Sequence, residues 1–102
     1  MIIKSIIFSL VLFLTTCVFA ADMSVIKQKS MMCGACHGRD GVAIIDGYPS
    51  LKGQNEMYLI SAMKSYRDRK RKGAMAAMME AQSIRLSDED IKALAAYYAN
   101  MK

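Results

Sequence analysis

Five consecutive residues, Cys33-Gly34-Ala35-Cys36-His37, combine side chains and spacing that could do chemistry. The pattern is C-x-x-C-H, and it reads as a covalent haem-attachment site. Each thiol can add across one haem vinyl group to form a thioether. Two intervening residues set the sulfurs at the two vinyls, and the adjacent His falls under the iron as proximal ligand. Other chemistries fit less well. A thioredoxin-like dithiol needs a βαβ setting that this sequence does not suggest. A structural zinc site takes four ligands, and Cys33, Cys36 and His37 make three. A plain Cys33–Cys36 disulfide is the bland alternative.

His37 is the sole His of the chain. That excludes a second His ligand from the same chain, a His-rich metal site, and a catalytic triad supported by another His. A sixth iron ligand must then come from elsewhere, and a Met thioether is the natural choice; it would raise the reduction potential. Met75, Met78 and Met79 follow Gly73. Any one of them could equally be adaptable core filler.

Around this motif the chain is short, with 102 residues, 54% of them hydrophobic, a formal charge of +5 and ten Met. The totals conceal two segments. In residues 1–20, Lys4 supplies a positive start, Ile6 to Leu14 form an apolar run, and Val18-Phe19-Ala20 suit a cut after Ala20. This is the build of a bacterial secretory signal, too short for a comfortable membrane span. An uncleaved anchor, or lipid attachment at Cys17 through Leu14-Thr15-Thr16-Cys17, are the alternatives. Export places the remainder in the periplasm. Loss of Lys4 lowers the net charge to +4. The body that remains, 21–102, is close to the size at which side chains alone barely hold a fold. A large flat apolar cofactor would supply the missing core.

The body predicts an all-α fold. A first helix over 22–34 enters the cysteine motif, and 38–53, with four Gly and Pro49, is a loop. A second helix over 54–67 places Met57, Ile60, Met63 and Tyr66 on neighbouring turns. The Ala/Met-rich 74–82 is a short helix. Ser87 is an N-cap ahead of Asp88, Glu89 and Asp90, and Ile91, Leu94, Ala95 and Tyr98 then form one buried face.

The body resembles the class I cytochromes c, specifically small bacterial monohaem cytochromes of the c-553 and c-4 type, over its whole length. The resemblance is carried by Cys33-Gly34-Ala35-Cys36-His37-Gly38, Tyr48-Pro49-Ser50-Leu51-Lys52-Gly53-Gln54, Tyr58-Leu59 and Ala77-Met78-Met79. It continues in Leu86-Ser87-Asp88-Glu89-Asp90-Ile91 and Leu94-Ala95-Ala96-Tyr97-Tyr98. It implies three to four helices wrapped around one covalent haem c. It also implies a distal Met seven residues before Leu86, which is Met79, with Met78 the second choice. The Pro49 carbonyl would accept the Nδ1–H of His37 and orient the ring. The activity implied is electron transfer between a cytochrome bc-type complex and a terminal oxidase or peroxidase, not catalysis. The rival is a haem sensor or peroxidase-like enzyme with an open sixth position.

Two positions depart from the family pattern. The aromatic often found shortly before the first Cys is replaced by Lys29 and Ser30, so the first helix is expected to meet Tyr97 or Tyr98 through Ile26 or Met32. The Gly common after the second helix is replaced within Arg67-Asp68-Arg69-Lys70-Arg71. Lys64, Arg67, Arg69, Lys70, Arg71 and Lys72 form a basic cluster, read either as a solvated helix end or as a steering patch for an acidic redox partner. An exported protein with this pattern has no expected nucleic-acid role, and no stable membrane insertion is expected after cleavage.

Overall fold

The computed structural model describes residues 23–102; the leader expected over 1–20, Cys17 included, lies outside them. Among the described residues there are four helices and no strand. We label them α1 (23–37), α2 (Glu56–Arg67), α3 (Ala76–Ser83) and α4 (Asp88–Ala99).

α1 runs through the cysteine motif instead of stopping at Gly34. A helical Gly normally weakens a helix. Here Gly34 is buried, and a Cβ on it would stand 3.3 Å from the Arg39 Cα, so the missing side chain lets the following turn fold back closely. The helix stops at Gly38, whose φ of 87° is left-handed and whose N–H donates to the Gly34 carbonyl at 3.0 Å. This is a glycine C-terminal stop.

α2 begins at Glu56, later than 54, because Asn55 caps it: the Tyr58 N–H donates to Asn55 Oδ1 at 2.9 Å. Its buried residue is Leu59, with Ile60 and Met63 packed beside the core. Met57, expected on that face, is exposed, because the stripe is built on Leu59. α3 starts at Ala76 and ends at Ser83, displaced from the expected 74–82, since Gly73 and Met75 form a turn before it. α4 matches its expected pattern. Ser87 Oγ accepts from the Asp90 N–H at 3.0 Å, Asp90 Oδ2 accepts from the Ser87 N–H at 3.1 Å, and Ile91, Leu94, Ala95 and Tyr98 are buried. This reciprocal cap is worth about 0.5–2 kcal/mol.

α2 packs against both α3 and α4. The core cluster is Leu59, Ala95 and Tyr98, flanked by Cys33, Leu51, Ile60 and Met63. α1 meets α4 through Ser30, not Met32: Ser30 is buried, Met32 is exposed, and the Tyr98 hydroxyl donates to the Ser30 carbonyl at 3.2 Å. The small Ser at a position where an aromatic is common admits the Tyr98 ring close to the α1 backbone. An ion pair between Lys29 and Asp90 joins the same helices.

Candidate functional site

In a continuous helix, residues three and four apart share a face. Because α1 includes the whole motif, Cys33, Cys36 and His37 form one stripe at its C-terminal end. Both cysteines are free and half-buried. Burial pushes the Cys33 thiol above its ordinary value. A redox-active dithiol needs the opposite, an accessible thiolate. Among the described residues no group of three or more His, Cys, Asp and Glu side chains is arranged to hold a metal ion.

His37 is buried, and its Nδ1 lies 2.7 Å from the Pro49 carbonyl oxygen. A carbonyl can only accept, so Nδ1 is the donor, and in the neutral ring the lone pair is then on Nε2. The expected contact to Pro49 is therefore present. The 38–53 loop sets the carbonyl in place. Gly41 O accepts from the N–H groups of Leu51 at 2.7 Å and Lys52 at 3.0 Å, and the Ala43 N–H donates to Ser50 Oγ at 3.0 Å. These bonds close the loop on either side of Pro49.

The three methionines sit at and within the start of α3. Met75 is its N-cap residue, Met78 and Met79 lie inside it, and only Met79 is half-buried while the other two are exposed. Two side chains here were not picked out from sequence. Ser83 is almost fully buried, at 1% exposure, and its hydroxyl donates to the Met79 carbonyl at 2.6 Å. The spacing of four residues from Met79 was the available signal. Tyr48 sets its ring edge-on to His37, centroids 6.3 Å apart, and its hydroxyl reaches Met78 Sδ at 3.9 Å. Its position next to Pro49 was the clue.

The basic cluster is mostly engaged. Arg67 bonds Asp88 at 2.7 Å, Asp68 at 3.1 Å and the Leu86 carbonyl at 3.2 Å, holding the end of α2 to the start of α4. Its guanidinium keeps the Asp88 carboxyl below the usual carboxylate range. Lys64 lies 4.0 Å from Asp88, Arg69 pairs with Glu80 at 2.8 Å, and Arg71 covers the Tyr66 ring with its guanidinium carbon 4.8 Å from the centroid. For Lys70 and Lys72 no ion pair occurs among the described residues.

A cofactor of the expected kind fits this donor set. Two free thiols and a His with a directed Nε2 share one face. Tyr48, in contact with His37, also reaches Met78 of α3, so the His and a thioether-bearing helix share one side of the molecule. This is the donor set and fold of a c-type cytochrome. The sequence family described as cytochrome c matches residues 27–102, and the chain belongs to that family. It is a class I, c4-like member. It is 46% identical over 83 residues to cytochrome c-554(548) of Halomonas halodenitrificans, covering 81% of this chain and all of that one. It is 39% identical to cytochrome c4 of Pseudomonas aeruginosa, covering 81% of this chain and 40% of that one. The chain thus spans well under half of the cytochrome c4. The reduced cytochrome c4 of Pseudomonas stutzeri superposes with a TM-score of 0.63 at 30% identity, over 69% of this chain and 38% of that chain. Family membership brings a covalently bound haem c with its iron, and Cys33, Cys36 and His37 fit the attachment motif. Electron transfer by that haem is the family's chemistry. Among the described residues no helix is long and apolar enough to cross a membrane.

Proposed function

We propose that the chain is a periplasmic one-electron carrier with His37 and Met79 as axial ligands and Cys33 and Cys36 as thioether anchors. The observation that carries this reading is the 2.7 Å contact from His37 Nδ1 to the Pro49 carbonyl. It leaves Nε2 as the one ring atom able to take the iron, and it fixes the ring plane. The haem supplies the Fe(III)/Fe(II) couple. Met79 is favoured by its half-buried place in α3 and by the Ser83 hydroxyl on its carbonyl. One observation favours Met78 instead, its contact with the Tyr48 hydroxyl beside His37. His37 and Met79 together would leave the iron no open site for a substrate, which is why a carrier is preferred to a sensor or peroxidase. Transient docking to redox proteins follows, with small interfaces typical of such encounters, and a bc-type complex, an oxidase or a peroxidase are the partners we favour.

The test is the sulfur-to-iron charge-transfer band in the near infrared, measured on oxidised holoprotein. It is expected in the unsubstituted chain and in Met78→Ala, and lost in Met79→Ala. Survival of the band in Met79→Ala refutes Met79 as ligand. Its absence from the unsubstituted protein refutes Met ligation and restores the open-site reading.

A further inference from the structure

Arg69 is the one non-glycine residue with a left-handed backbone among the described residues, at φ 58°. It stands just past α2, where the Arg69 N–H donates to the Tyr66 carbonyl at 3.1 Å and the Lys70 N–H to the Ser65 carbonyl at 2.8 Å. That double bond pattern is a helix stop usually built on glycine, which carries no Cβ penalty there. A residue kept in such a conformation against its preference points to a use for its side chain. The Arg69 side chain has one: its Nε meets Glu80 Oε1 at 2.8 Å. Glu80 follows Met79 directly and its side chain is 29% exposed.

α3 has little to hold it by itself. It is eight residues long, it has no side-chain cap at Met75, and its first turn has no acid to complement the dipole. So short a helix depends on outside contacts. We infer that Arg69 is a positioning residue: from the end of α2, through Glu80, it fixes where α3 stands and so how firmly its methionine is presented to the iron. The inference rests on the reading that a methionine of α3 ligates. The left-handed strain at Arg69 is the cost of having a cation where glycine would otherwise serve.

The two roles of the position separate in Arg69→Gly, which relieves the backbone and deletes the tether. In the oxidised holoprotein the unfolding midpoint should hold or rise. Added imidazole should displace the methionine, read as loss of the near-infrared band, at about two- to five-fold lower concentration, the range of an exposed or half-exposed ion pair. Glu80→Gln should shift the imidazole midpoint similarly, the double variant no further than either single one, and Arg69→Lys less. Amide hydrogen exchange within α3 should quicken by a like factor, a readout that needs no iron–sulfur bond. Imidazole midpoints and α3 exchange that stay at the unsubstituted values in both Arg69→Gly and Glu80→Gln overturn the inference. Met79→Ala serves as the separate control: a band that survives it moves the ligand to Met75 or Met78, while the Arg69 and Glu80 shifts are still read on that band.

Discussion

Gly38 and Gly47 offer a controlled comparison, because their φ angles match and their surroundings do not. Their φ values are 87° and 89°. Placing an L side chain there costs about 1–2 kcal/mol in either case. Around Gly47 a new Cβ meets nothing within 4 Å, whereas on Gly38 it would stand 2.0 Å from the Val42 carbonyl oxygen and 2.7 Å from its carbon. Those are backbone atoms and cannot rotate away. Relief requires moving the loop or the end of α1, a steric cost of about 1–3 kcal/mol. Gly47→Ala should therefore lose about 1–2 kcal/mol and Gly38→Ala about 2–5 kcal/mol. At about 4–8 °C per kcal/mol for a domain of this size, the two melting points should differ by about 4–24 °C. Guanidinium unfolding of the oxidised holoprotein, followed by haem absorbance, measures both. Equal losses would refute the close approach of Gly38 to Val42 and leave only the shared backbone term.

Further outcomes follow from single contacts. Tyr98→Phe removes the hydroxyl bond to the Ser30 carbonyl and should lower stability by about 0.5–1.5 kcal/mol with the near-infrared band unchanged; chemical denaturation and the band read the two separately. Lys29 holds the Asp90 carboxyl below its ordinary value. The stabilisation this brings is present above the unfolded carboxylate pKa of about 3.9 and is lost as pH falls through the lower folded value. Asp90→Asn should flatten that acid limb in thermal scans, with a loss at neutral pH of no more than about 1 kcal/mol from the ion pair. Reduction of the protein by an acidic redox partner should slow as salt rises, and Lys70→Glu with Lys72→Glu should remove most of that dependence; a salt profile unchanged by the pair would dismiss these two lysines as steering groups.

What could be read from sequence was set by how local the signal is. α4 was legible to the residue because a Ser87 cap, three acids and a 3.6-residue stripe all act within the segment itself. The C-x-x-C-H chemistry was legible for the same reason. The end of α1 was not, since Gly34 is a weak helix former, and the close approach of the Arg39 backbone that its missing side chain permits is visible only in the fold. At the α1–α4 crossing Met32, one of the two contacts expected, is exposed, and Ser30 gives the Tyr98 hydroxyl its carbonyl acceptor, a backbone partner that no side-chain pattern announces. Met57 looked equivalent to Ile60 and Met63 on a helical wheel. Only the seating of Leu59 against Ala95 and Tyr98 shows which arc of α2 faces inward.

The basic cluster shows how a charge run can contain two different kinds of residue. From composition it is a single patch of six cations, equally suited to solvation or steering. In the fold, Arg67 spans to Asp88 and the Leu86 carbonyl, Lys64 approaches the same carboxylate, and Arg69 reaches Glu80. These charges therefore link α2 to α4 and α3, and a partner would have to compete with those acids to use them. Coulomb attraction at a surface is screened over about 8–10 Å, so paired cations contribute little field beyond their own acids. Lys70 and Lys72 lie in the segment between α2 and α3, with no ion pair among the described residues. The same short stretch thus ties the methionine-bearing helix to its neighbour at Arg69 and presents free charge beside it. On the function proposed above, docking at the lysines and the hold on the methionine of α3 would meet within a few residues of chain.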